Sequence, residues 1–104
     1  MKSELTAGFT ARFAKLPERV KQTARKNYQL WRENPQHPSL ECKRLKTKTA
    51  AYSVRVGMGW RAVGVKKGTD TMVWFWIGSH SEYDQLLKKL QSFLLPQFAL
   101  RLRA

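Results

Sequence analysis

Three short runs rich in β-branched and aromatic residues, separated by tight-turn signals, commit residues 51–77 to a sheet. Ala51 to Val56 alternates, with Tyr52, Val54 and Val56 on one side and Ser53 and Arg55 on the other. Gly57-Met58-Gly59 supplies a reversal into Trp60 to Lys66, where Arg61 shares a side with Val63 and Val65. Lys67-Gly68-Thr69-Asp70 makes a second hairpin turn. Thr71 to Ile77 is apolar on both sides, as suits a central strand covered on both faces. Trp74 and Trp76, two residues apart in it, share a side and read as core rather than as a base-stacking platform. Connections this short make the sheet an antiparallel meander of hairpins.

Helical periodicity flanks that sheet. Leu5, Phe9, Phe13 and Leu16 predict a first helix over about residues 4–16, with Arg12 and Lys15 turned away. Pro17 suits the start of a second helix. Its buried stripe is Val20, Ala24, Asn27/Tyr28 and Trp31, and its wet face is Lys21, Arg25, Lys26 and Arg32. Pro35 and Pro38 stop it, and Glu41 to Lys46 reads as a weak strand. Gly78 ends the last strand of the meander. Ser79 and Glu82 then form a capping box that opens a helix with the stripe Tyr83, Leu86/Leu87, Leu90 and Phe93/Leu94, closed by Pro96. The tail, residues 97–104, alternates enough to form one more strand or remain a loose end. The expected fold class is α+β: two N-terminal helices, a three- to four-stranded antiparallel sheet and a C-terminal helix, in one domain over residues 1–104.

At 104 residues the chain has room for one core. Twenty Lys and Arg against seven Asp and Glu give a net charge of +13. A compact fold repels itself at that charge, which points to a polyanionic partner. The excess is concentrated. Lys43, Arg44, Lys46, Lys48, Arg55, Arg61, Lys66 and Lys67 lie in a stretch with no acid between Glu41 and Asp70. The longest apolar run, Met72 to Ile77, is too short to cross a bilayer, and residues 1–8 lack a signal-peptide pattern. Cys42 is the only cysteine, so a reducing cytosol fits best.

Several chemistries lack their residues. Neither a phosphate-binding GxxxxGK[ST] loop nor a GxGxxG fingerprint occurs, which argues against a nucleotide cofactor. His37 and His80 are far apart and neither has a companion at helical ligand spacing, so no metal site is expected. Glu82 and Asp84, two apart on a helix, do not share a face. What remains is a set of Arg, Lys, His and Tyr. Such a set suits RNA cleavage by the substrate's own 2′-hydroxyl. Arginine and lysine stabilise the extra charge on phosphorus, and histidine or tyrosine moves protons. His80 falls in the first turn of the last helix, where the helix dipole disfavours a further positive charge and suits a proton-accepting ring.

The stretch from Leu45 to Leu87 resembles the core of the RelE/ParE superfamily of type II toxin–antitoxin toxins. The similarity lies in a basic stretch before the sheet, the strand Tyr52-Ser53-Val54-Arg55-Val56, the pair Trp60-Arg61, the apolar strand Met72 to Ile77, Gly78-Ser79-His80 and Tyr83. It implies a small cytoplasmic toxin held by an antitoxin protein. RelE-like members cut mRNA in the ribosomal A site without metal, whereas ParE-like members inhibit DNA gyrase. On the RelE-like side the resemblance implies a catalytic set of Arg55, Arg61, His80 and Tyr83. It implies RNA contacts from Lys46 and Lys48, to which the charge pattern adds Lys43, Arg44, Lys66 and Lys67. Many ribosome-dependent members carry Arg where this chain has His80. A gyrase inhibitor and a non-catalytic RNA-binding module of the same fold are the two rival expectations.

Overall fold

The computed structural model describes residues 2–47 and 50–90. Strand β1 (Lys2–Leu5) precedes helices α1 (Ala7–Ala14) and α2 (Glu18–Glu33). A 3-10 turn (Pro38–Leu40) leads to β2 (Lys43–Arg44), β3 (Ala51–Arg55), β4 (Trp60–Lys67) and β5 (Thr71–Ser79). Helix α3 occupies residues 80–90. The strands make one five-stranded sheet in the order β1-β5-β4-β3-β2. β2 to β5 form the expected antiparallel meander, while β1 pairs with β5 in parallel.

β1 is the fifth strand, and it corrects the expected start of the first helix. Residues 4 and 5 belong to the sheet, and Leu5 is 59% exposed. The helix begins after Thr6, whose hydroxyl accepts the Phe9 N–H at 3.1 Å as an N-cap. Phe9, Phe13 and Leu16 pack on the core as their spacing predicts. β2 is shorter than the expected 41–46, and β5 runs two residues past Ile77. The expected contacts of Phe93, Leu94 and Pro96, and the fate of the tail, lie outside the described residues.

The sheet has a core on each face. On one, Trp31 of α2 meets Trp74 edge-on at 5.2 Å, joined by Val54, Ala62 and Ile77. On the other, Tyr83 of α3 packs with Val63, Trp76 and Leu45. The two tryptophans of β5 therefore lie on opposite faces, against the expectation that they share one. A register shift is the cause. Val63 pairs with Trp76 but Gly64 pairs with Trp74, so Phe75 is an extra residue, a β-bulge that reverses the alternation. Gly64 makes room there, because a Cβ on it would sit 2.8 Å from the Trp74 ring.

β1 covers only the first half of β5, from Thr71 to Trp74. Thr6 donates to the Trp74 carbonyl at 3.0 Å and the chain then turns into α1. Beyond that point the outer edge of β5 faces α1 rather than a strand. Arg12 of α1 donates from Nε to the Ile77 carbonyl at 2.7 Å, giving that edge carbonyl a partner. The side chain expected to turn away from the core thus reaches across the sheet edge.

Candidate functional site

Register builds the site. Arg55 of β3 stands opposite Arg61 of β4, and Arg61 stands opposite Gly78 of β5. Cross-strand partners share a face, so both arginines emerge at the end of the sheet where β5 becomes α3. His80 is the first residue of α3, and its N–H donates to the Gly59 carbonyl at 2.8 Å. Tyr83 lies one turn on. Its ring centroid is 6.0 Å from that of His80 and 5.4 Å from the Arg61 guanidinium carbon. The four expected catalytic residues therefore fall at one end of one face.

Their environments differ sharply. Arg61 is 6% exposed, and Nε donates to Ser53 Oγ at 2.6 Å while Nη2 donates to the Glu41 carbonyl at 2.8 Å. Nη1 carries no hydrogen bond among the described residues. Arg55 is more open, with Nη1 3.3 Å from Glu41 Oε2. Tyr83 is 6% exposed and packed against Trp76, whereas the His80 side chain is 62% exposed, its Nε2 3.8 Å from Asp84 Oδ1. Burial pushes the Cys42 thiol up, and the Arg61 charge offsets this only in part.

Glu41 is a residue that sequence reasoning passed over. It closes the 3-10 turn in the left-handed region, with φ of 42°. That conformation costs a non-glycine residue about 1–2 kcal/mol. Arg61 holds its backbone oxygen and Arg55 its carboxylate, so both sheet arginines grip one strained residue. Ser53, fully buried beneath Arg61, was likewise read only as a polar face position. The single signal for either was proximity to the arginine-bearing strands.

The basic residues do not gather at one place. Lys43 pairs with Ser53 and so shares the face of Arg55 and Arg61. Lys46 is exposed just beyond β2. Arg44 pairs with Tyr52 on the opposite face and donates to the Leu45 carbonyl at 3.3 Å. Lys48 lies outside the described residues. Lys66 and Lys67 end β4, five and six residues from Arg61 and so about 17–20 Å along the strand. Lys67 there pairs with Glu4 of β1 at 3.6 Å. Among the described residues no group of three His, Cys, Asp or Glu could hold a metal. No helix among them is long and apolar enough to cross a membrane.

The family profile of the ParE-like toxin domain matches residues 18–85, from the start of α2 through Tyr83 and Asp84. The chain belongs to this family. The resemblance to the RelE/ParE toxins seen in the sequence is thereby borne out. No curated protein matches the sequence. Two solved structures share the fold of this ParE-like toxin. A YoeB/ParE toxin from Agrobacterium tumefaciens superposes with a TM-score of 0.62 at 16% identity, covering 77% of this chain and 99% of its own. A copper-bound mutant toxin from Helicobacter pylori gives 0.56 at 22% identity, covering 79% and 97%.

Proposed function

We propose that this toxin is a metal-independent endoribonuclease that cuts mRNA on the ribosome. The observation that carries the proposal is the register of Arg55 and Arg61 beside the His80–Tyr83 turn of α3. Arg55, Lys43 and the Nη1 of Arg61 would bear on the phosphate. They stabilise the charge that builds as the 2′-oxygen attacks phosphorus. The exposed His80 ring takes the 2′-hydroxyl proton. The P–O5′ bond then breaks to leave a 2′,3′-cyclic phosphate and a 5′-oxygen, which receives a proton from the Tyr83 hydroxyl. Lys46 and Lys48 would guide the strand, and the reaction draws on no cofactor.

One observation favours a second reading. Arg61 is largely engaged in holding Ser53 and Glu41, and Tyr83 is packed into the core. A ParE-like inhibitor of DNA gyrase, or a non-catalytic RNA-binding module, would need neither as a reagent. Induced expression followed by primer extension on reporter mRNA separates the readings. Discrete cuts at codon positions support the nuclease, whereas intact mRNA with blocked supercoiling supports the gyrase inhibitor.

A toxin of this family is expected to be held by an antitoxin. A cavity of about 490 Å³ opens between α1, α2 and the sheet, lined by Leu5, Phe9, Phe13, Tyr28 and Trp31 among others. Its walls are mostly apolar, with Arg25 the one cation among them, which would suit the apolar side of an acidic antitoxin helix. We place the toxin in the cytoplasm, where mRNA, ribosomes and gyrase all lie.

A further inference from the structure

We infer that Arg12 is a positioning residue, which sets the start of α3 and so aims His80 and Tyr83 at the sheet arginines. The inference rests on the nuclease reading of that site, and it deepens it. Arg12 sits on α1, 65 residues from Ile77 and 70 from Glu82 in sequence. Its Nε donates to the Ile77 carbonyl at 2.7 Å and its Nη2 to Glu82 Oε2 at 3.0 Å. Ile77 lies near the end of β5 and Glu82 in the first turn of α3. One planar guanidinium therefore clamps both sides of Gly78-Ser79, the last two residues of β5, which set the direction in which His80 leaves the sheet.

Glu82 is already the capping residue of that helix. Its Oε1 accepts the Ser79 N–H and the Ser79 hydroxyl, each at 3.0 Å, while the Glu82 N–H donates to Ser79 Oγ at 3.2 Å. The box alone would fix only the internal shape of the first turn. Through Oε2, Arg12 ties that turn to a different part of the fold. A lysine could not do both, since it lacks the fork that reaches two acceptors at once.

The same guanidinium lies 4.8 Å over the Trp76 ring, Trp76 lies 6.2 Å from Tyr83, and Tyr83 lies 5.4 Å from Arg61. Arg12 thus begins a packed row that ends at the sheet arginine. Gly78 keeps the space open. A Cβ there would stand 2.8 Å from Trp76 and 2.9 Å from Arg12 Nη2. An exposed ion pair on its own does little. This one is anchored by a part-buried bond to a backbone carbonyl at a sheet edge that β1 leaves uncovered.

The test compares Arg12→Ala and Arg12→Lys with the wild type, well below each melting temperature. Amide hydrogen exchange is followed at residues 81–83 and in β3 and β4, and cleavage is measured on mRNA-programmed ribosomes. For Arg12→Ala, exchange at 81–83 should rise about tenfold or more while β3 and β4 hold their protection. Its kcat should fall by about tenfold to a hundredfold with KM within about twofold, as expected when reacting groups are misplaced by around 1 Å. Arg12→Lys should lie between the two. Unchanged exchange at 81–83, or a rise shared equally by the core strands, overturns the inference. So does loss through KM alone. If the wild type cuts no mRNA, the nuclease reading fails, and the exchange pattern still decides whether Arg12 sets the start of α3.

Discussion

Replacing Arg61 with alanine should cost far more stability than replacing Arg55, though the two stand in register. The Arg61 side chain makes two short charged hydrogen bonds, at 2.6 Å to Ser53 Oγ and 2.8 Å to the Glu41 carbonyl. Bonds to charged groups contribute about 1.5–3 kcal/mol each. The contact with Tyr83 adds about 0.5–2 kcal/mol. Removing a buried charge returns part of this, because its desolvation cost of several kcal/mol disappears as well. The net loss should be about 3 kcal/mol, or about 12–24 °C in melting temperature for a domain of this size. Arg55 loses only a half-exposed pair with Glu41, and its alanine variant should stay within about 1 kcal/mol of wild type. Urea unfolding of the three proteins in parallel measures both differences. An Arg61→Ala variant within about 1 kcal/mol of wild type would refute the view that this arginine is anchored in the scaffold with only Nη1 left for a phosphate.

Three further outcomes follow from the same geometry. Gly78→Ala should destabilise by about 1–3 kcal/mol in urea unfolding, because the new methyl meets Trp76 and Arg12. The Ser79 backbone N–H, followed by the Ser79 hydroxyl and Arg12, holds the Glu82 carboxyl below the usual glutamate range despite slight desolvation. Its contribution is therefore fully present above the ordinary glutamate value and is lost as pH falls through the lowered one. Glu82→Gln should melt below wild type at neutral pH, and the two curves should converge on the acid side; a constant gap at every pH would show that ionisation is irrelevant. In anisotropy titrations with single-stranded RNA, Lys43→Ala and Lys46→Ala should each flatten the slope of log K against log salt by about 0.7. Lys67→Ala should leave that slope alone, since Lys67 lies at the far end of β4 beside Glu4.

The features legible in the sequence were those set by neighbours in the chain. The alternation of Tyr52, Val54 and Val56, the glycine turn before Trp60, the proline at the start of α2 and the Ser79–Glu82 box are each specified within a few residues, and each stands where expected. The departures all came from partners far away. Lys2 to Leu5 carries no clear strand pattern and becomes β1 because β5 offers it an edge. Phe75 has nothing local that marks a bulge; the register of β4 against β5 creates it and separates Trp74 from Trp76. Arg12 occupied a polar position of a helical pattern, and no local rule could have aimed it at Ile77 and Glu82.

The candidate site divides along the same line. Its face was readable, because alternation fixes which side of the sheet Arg55 and Arg61 share. Depth was not, because depth depends on what covers that side. Tyr83 of α3 lies over Arg61, and Glu41 folds back in a left-handed turn to take its Nη2. One arginine thereby becomes part of the scaffold while its neighbour stays open. Any phosphate approaching this end of the sheet then meets Arg55, Lys43 and the exposed His80 ring before it meets Arg61. If RNA is cut here, variants of Arg55 and His80 should lose cleavage while remaining folded, whereas Arg61→Ala should lose stability and cleavage together. Growth arrest and urea unfolding measured on the same three variants would show that split; equal effects of Arg55→Ala and Arg61→Ala on both would mean that burial does not divide their roles.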